Sequence, residues 1–153
     1  MLHHDGRWTH EGVPLLNRRL REAFDRSVRY LPDEHHVDAD GGAAVAGKYV
    51  VQLGHFRGEI EVEEAGFFVS EVDLASGGVR LSDRSWDRLE VARLEASPRD
   101  GALLCSVKRD LVPGGLRARF SHAAQAELLD AVRETRGRYV VRVAGSDEEL
   151  PEL

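Results

Sequence analysis

Residues 47–53 read GKYVVQL and residues 137–143 read GRYVVRV, so a glycine, a basic residue, a tyrosine and paired valines recur in the two halves of the chain. Each copy follows a stretch with helical period. In Val13–Leu31, the residues Leu16, Leu20, Phe24, Val28 and Leu31 return every three or four positions and form one apolar stripe. In 121–136, Ala124, Leu128, Leu129 and Val132 do the same. A helix with one apolar stripe and a strand with one apolar face both need a partner layer. Two copies of a helix-and-strand unit would complete each other's core, and duplication is the reading to which the recurrence points. The predicted fold class is α+β: two similar helix-plus-antiparallel-strand units packed into one compact domain. Unit 1 spans about 5–75 and unit 2 about 76–145, with 146–153 an acidic, frayed tail. Leu20 and Leu128 are expected to face a common layer of strands.

Local signals place the elements. Pro14 suits the first turn of a helix and Pro32 ends it. Ser121 is a natural N-cap for the second helix and Gly137 is placed to be its C′ residue. Strands are predicted at Lys48–Leu53, Glu59–Glu63, Phe67–Leu74, Val79–Leu81, Leu103–Val107, Leu116–Phe120 and Tyr139–Val143. Leu89–Leu94 fits strand or helix, and 32–47 reads as a loop. Gly54–Gly58 has the glycine bracketing of a hairpin loop, with Phe56 at its tip. A second hairpin closes at Val112–Gly115. Pairing Leu111 with Leu116 would set Lys108 opposite Arg119 and Asp110 opposite Arg117.

At 153 residues the chain is long enough to bury one core. The net charge of −6 argues against a nucleic-acid partner, because neutralising phosphates needs an excess of clustered Lys and Arg. Cys105 is the single cysteine, which leaves no disulfide framework or multi-cysteine metal site and fits a reducing compartment. The opening MLHHDGRW carries no apolar signal core, and no apolar run approaches the length of a membrane span. The expectation is a cytoplasmic protein with no membrane partner.

The stretch DGRWTHEGVPLL, followed by a helix containing Leu20 and Phe24, resembles the opening of a proteobacterial family, domain of unknown function 1285. YVVQLGHFRGEIEVEEAGFFV at 49–69 resembles a second block of that family, and LRARF with the helix after it matches more loosely. The resemblance is strongest at 5–24 and 49–69, and it implies an α+β fold with repeated motifs and a role in signal transduction. The chain also departs from the family pattern. Phe56–Arg57 stands where a Glu-Lys pair is usual, Gly66 where Pro is, Asn17 where an Arg is common, and His122 where Arg is frequent.

Candidate site residues are few. Trp8 and His10 lie in the most family-like segment, where an aromatic and an imidazole could line a pocket; as a structural residue, Trp8 would plug the core. Phe56, between His55 and Arg57, has the form of a partner-binding loop tip, or it folds back onto the sheet. On the second hairpin, Lys108, Arg117 and Arg119 would share a face with Asp110 and could bind a phosphate or carboxylate, or they could neutralise the row Glu59, Glu61 and Glu63. The ligand-site candidates are Trp8, His10, Arg57, Lys108 and Arg119, in a cleft between the two units. The paired histidines His3–His4 and the acidic, His-bearing loop 33–40 lack metal-ligand spacing, so no metal and no cofactor are expected. Cys105 sits on an apolar strand face, as an inert buried thiol would. No nucleophile elbow, P-loop or dinucleotide fingerprint is present. The leading functional expectation is a non-enzymatic module that binds a small anionic ligand or a protein partner. The alternative is a small hydrolase using His10 or His55 as general base beside a glutamate.

Overall fold

The computed structural model describes residues 1–32 and 47–153. Residues 33–40, whose acidic and imidazole groups read in the sequence as a loop without metal-ligand spacing, lie outside them.

Strands dominate. A two-residue hairpin, β1 (Thr9–His10) and β2 (Val13–Pro14), leads into helix α1 (Arg18–Ser27). Strands β3 (Val28–Pro32), β4 (Gly47–Leu53) and β5 (Phe56–Ile60) form a three-stranded antiparallel sheet in that order. Then come β6 (Phe67–Asp73), β7 (Gly78–Leu81), β8 (Trp86–Arg88), a 3-10 turn at Val91–Arg93, β9 (Glu95–Ala96), β10 (Leu103–Val107) and β11 (Leu116–Phe120). These strands make a six-stranded sheet in the order β8-β7-β6-β11-β10-β9, antiparallel except at the central β6–β11 pair. Helix α2 (His122–Asp130) precedes a second three-stranded antiparallel sheet, β12 (Arg133–Thr135), β13 (Arg138–Val143) and β14 (Ser146–Glu149). Helix α1 packs on β4, and α2 packs on β6 and β11.

The balanced α+β architecture of two helix-plus-strand units is therefore not what forms. GKYVVQL and GRYVVRV are β4 and β13, each the middle strand of a three-stranded sheet behind a helix. The likeness ends there. The six-stranded sheet draws strands from both sides of residue 75 and joins them through β6 and β11, so there are no two separable units. One core runs through the molecule, from Leu2, Trp8, Val28 and Val51 through Phe67 and Val69 to Leu128 and Val141.

The long helix expected over 13–31 is three elements instead. Val13 and Pro14 pair with His10 and Thr9, and Val28–Pro32 pairs with β4, register Val28↔Val51 to Pro32↔Gly47. The β-branched and aromatic residues of VRYLP gain more from a sheet edge than from another helical turn. Asn17, the departure from the family's Arg, caps the helix by accepting from the Leu20 amide at 3.0 Å. The apolar stripe splits accordingly. Phe24 and Val28 turn inward, while Leu16 and Leu20 are 81% and 41% exposed, against the expectation for Leu20; Leu128 is fully buried.

The second helix also stops early, at Asp130. Gly137 does not terminate it but forms a two-residue turn with Arg136 between β12 and β13, both at positive φ (55° and 78°), the geometry a type I′ hairpin demands. Residues 146–149, expected to fray, pair with β13 and carry Asp147 and Glu149 opposite Arg142 and Val140. In the second hairpin the register is Leu104↔Arg119, Ser106↔Arg117 and Val107↔Leu116, so Lys108 lies beyond the ladder rather than opposite Arg119.

Candidate functional site

An open cleft of about 850 Å³ lies between the N-terminal hairpin, α1 and strand β5. Its floor is apolar: Trp8 and Val51 are buried, and Leu15, Phe24 and Ile60 are half-buried. Its rim is polar, with His10, Glu11, Glu59 and Glu61 exposed and His3 partly so. Phe56 stands at the edge, 61% exposed. The turn Gly54–His55 is only two residues long, which sets Phe56 on β5 itself, opposite Leu53, rather than at a loop tip.

The floor is held by specific contacts. The Trp8 and Phe24 rings meet edge-on with centroids 5.3 Å apart. The Trp8 indole N–H donates to Asp25 Oδ1 at 2.8 Å, tying the residue just before β1 to α1. Burial pushes the Asp25 carboxyl above its usual range, against the opposing pull of Trp8 and Arg21.

Of the residues singled out in the sequence, Trp8, His10 and Phe56 come together in this cleft. Arg57 neighbours it on β5, exposed, with its backbone opposite Gln52. Lys108 and Arg119 lie elsewhere, and each is held internally. The Lys108 ammonium donates to Asp83 Oδ2 and Ser85 Oγ, both at 2.8 Å, and sits 5.3 Å from the centroid of the Phe67 ring. Burial opposes ionisation of Asp83, yet the hydrogen bonds from Lys108 and Ser85 prevail and hold its carboxyl below the usual range. Arg119, nearly buried, donates to Glu64 Oε1 at 3.2 Å and to Asp100 Oδ2. The Arg119 bond holds the Asp100 carboxyl down at about 2. Ser97 Oγ completes the cluster by donating to Glu64 Oε2 at 2.6 Å.

Neither His10 nor His55 hydrogen-bonds a carboxylate among the described residues. The two histidines that do are His3 and His4, whose Nδ1 atoms lie 2.9 and 2.5 Å from the two oxygens of Glu63. Arg99 Nη1 approaches the same carboxylate at 3.1 Å. Bonds from His3 and then His4 keep Glu63 below the ordinary glutamate range. His3 Nε2 lies 2.9 Å from Thr9 Oγ1, so Glu63, His3 and Thr9 form a line at the cleft's edge. No group of three or more metal-ligating side chains occurs among the described residues. Cys105 is buried, its thiol pushed up to about 12 by burial, with Asp87 adding in the same sense. No helix among the described residues is long and apolar enough to cross a membrane.

No family model matches the chain, and no curated protein matches it in sequence. Among solved structures it is similar to a DUF1285 family protein from Silicibacter pomeroyi DSS-3. The two superpose with a TM-score of 0.57 at 16% identity, over 97% of this chain and 77% of that one. The chain has the fold of a DUF1285 protein. A second DUF1285 family protein, from Shewanella baltica OS155, gives a TM-score of 0.47 at 13% identity, over 84% of this chain and 88% of that one. The resemblance carried by DGRWTHEGVPLL thus extends to the DUF1285 backbone. Gly66, the departure from proline, has a local reason within that backbone: a Cβ there would overlap the ring of Tyr49.

Sequence reasoning missed Glu64, Asp25, Ser97 and Asp100 as members of polar clusters, and it gave Glu63 the wrong partners, the second-hairpin cations rather than His3, His4 and Arg99. Glu63 and Glu64 were visible as the acidic end of a strand, but their partners lie tens of residues away and no spacing announces them.

Proposed function

We propose that this protein is a binding module whose cleft between the N-terminal hairpin, α1 and β5 receives an apolar segment of a protein partner. The observation that carries this reading is Phe56, a large aromatic side chain left 61% exposed at the edge of an apolar floor built from Trp8, Leu15, Phe24, Val51 and Ile60. Exposed aromatics beside a preformed apolar concavity are what interface anchors and pockets consist of. Of the two ligand classes expected, the protein partner fits better than a small anion. Lys108 and Arg119 already neutralise Asp83, Glu64 and Asp100, and the cleft's rim carries Glu11 and Glu61 beside a Glu59 paired with Lys48. A module of this kind suits the signalling role that the family resemblance implies.

The test is amide-shift mapping by NMR with N-phenyl-1-naphthylamine, a neutral apolar probe. Saturable shifts at Leu15, Phe24, Phe56 and Ile60 are expected. Shifts confined to another surface would overturn the reading.

One observation favours a catalytic alternative. Glu63 can orient His3, and His3 can accept a proton from Thr9 Oγ1, which is the order of groups in a hydrolytic triad. The Thr9 amide, however, donates to the Met1 carbonyl at 3.0 Å and is not available to an oxyanion. Ester hydrolysis abolished by Thr9→Val and by His3→Gln alike would establish this alternative.

A further inference from the structure

The cleft does not lie over one face of β5 but along its edge. Phe56, Gly58 and Ile60 border it, and so do Glu59 and Glu61, which alternate with them along the strand. β5 is the outer strand of its sheet, in the order β3-β4-β5. Leu53 and Phe56 flank a two-residue turn, so they exchange backbone hydrogen bonds, as do Val51 with Gly58 and Tyr49 with Ile60. The alternate residues Arg57, Glu59 and Glu61 therefore direct their N–H and C=O groups outward. The neighbouring contacts agree in phase. The Leu2 amide donates to the Glu61 carbonyl at 2.9 Å, and the Glu63 amide donates to the Leu2 carbonyl at 3.0 Å, a parallel bridge Leu2↔Val62. The chain's own N-terminal segment thus already pairs with this edge where β5 runs out. Among the described residues no backbone partner meets Arg57 or Glu59.

We infer that an extended segment of a protein partner adds to β5 as a further strand, continuing the pairing begun by Leu2 and setting alternate apolar side chains into the cleft beside Phe56 and Trp8. The inference deepens the binding reading given above and rests on it. Backbone pairing supplies affinity in such additions, and the pockets for alternate side chains supply selectivity. The rim fixes the flanking chemistry. Glu11 and Glu61 stand at the mouth of the cleft on a chain of net charge −6, while Glu59 is already paired with Lys48 Nζ at 2.6 Å. The segment that fits is therefore apolar at alternate positions and flanked by a Lys or Arg that reaches Glu61 or Glu11. A second copy of this chain fits less well, because it would set the acidic rim of Glu11 and Glu61 against an identical acidic rim.

The experiment pans a phage-displayed library of random dodecapeptides on the whole protein, then measures a fluorescein-labelled winner by anisotropy. Winners with alternating apolar residues and a basic flank are expected. Arg57→Pro removes one outward N–H at an edge position that tolerates proline, and should weaken binding about tenfold or more, whereas Arg57→Ala should leave it nearly unchanged. Peptides N-methylated at successive positions should lose binding in one alternating set and keep it in the other; this scan decides the matter even if Arg57→Pro fails to fold. A flat N-methyl scan with binding still lost in Phe56→Ala would overturn strand addition and leave the cleft reading standing. Binding indifferent to Phe56→Ala as well would overturn both. Enrichment of no peptide, or a homodimer that Arg57→Pro dissolves, would also overturn the inference.

Discussion

The indole N–H of Trp8 donates to Asp25 Oδ1 at 2.8 Å, and this one bond joins the N-terminal hairpin to α1 at the floor of the cleft. Trp8→Phe keeps the aromatic packing on Phe24 but strands the half-buried Asp25 acceptor, so it should cost about 1–3 kcal/mol in urea unfolding. Asp25→Asn keeps an acceptor for Trp8 and removes the charge that burial penalises. The Asp25 carboxyl is raised above its usual range, so the native state binds its proton more tightly than the unfolded chain does, and that contribution is lost as pH rises through the folded value. At neutral pH Asp25→Asn is therefore expected to melt no lower than the parent. A marked loss of stability there would show that the charge itself is needed.

Among the described residues Arg119 and Glu64 form the best-shielded ion pair, their side chains 9% and 4% exposed. Arg119→Met leaves the buried Glu64 with only the Ser97 hydroxyl at 2.6 Å and the more distant, half-exposed Arg99 at 3.7 Å. It should cost about 3 kcal/mol, the low end for a broken buried pair. Adding Glu64→Leu in the same chain should recover most of that loss, because replacing a buried pair by apolar groups is close to neutral. Calorimetric melting of the two variants checks this. A double variant as unstable as the single one would mean that the pair itself stabilises the fold.

The carboxyl of Asp100 sits at about 2, held down first by its bond from Arg119, and Asp83 is lowered as well. As pH falls, the unfolded chain takes up these protons before the native state does. The stability they contribute is whole above the ordinary value of 3.8 and declines through the window down to about 2. Urea midpoints across that window should fall, and Asp100→Asn should flatten the decline while lowering stability above it. An undiminished slope in Asp100→Asn would assign the acid sensitivity to other groups.

Part of this molecule is legible in its sequence, for local reasons. Ser121 caps α2 by accepting from the Ala124 amide at 3.2 Å, and the strands GKYVVQL and GRYVVRV bury Val50 and Val51, and Val141 and Val143. The helical period over 13–31 misled because a hairpin, a helix and a strand, laid end to end, imitate one stripe. Only tertiary pairing of VRYLP with β4 breaks it. The parallel β6–β11 pair, which refutes the two-unit picture, joins residues 67–69 to 118–120, and no local pattern encodes such a crossing. The site divides in the same way. Trp8, His10 and Phe56, which line one cleft, stood out in the sequence because aromatic and imidazole groups near turns are conspicuous. Lys108 and Arg119 resembled ligand cations because their acidic partners, Asp83, Glu64 and Asp100, lie far along the chain.

Phe56→Ala should leave stability within about 0.5 kcal/mol of the parent, since an exposed side chain contributes little to the core. The same change should weaken whatever enters the cleft by about tenfold, the cost of truncating an interface anchor. Paired unfolding and binding titrations measure both quantities. A large stability loss would place Phe56 among the structural residues instead.

The chain contains two tryptophans: Trp8 at the cleft and Trp86, exposed on β8 and absent from the cleft's lining. In a Trp86→Phe protein, emission from Trp8 reports on the cleft alone, and titration with N-phenyl-1-naphthylamine tests its occupancy directly. Saturable quenching of Trp8, matched by a rise in probe emission and weakened by Phe56→Ala, is the predicted result. Probe binding that leaves Trp8 emission unchanged would contradict the account.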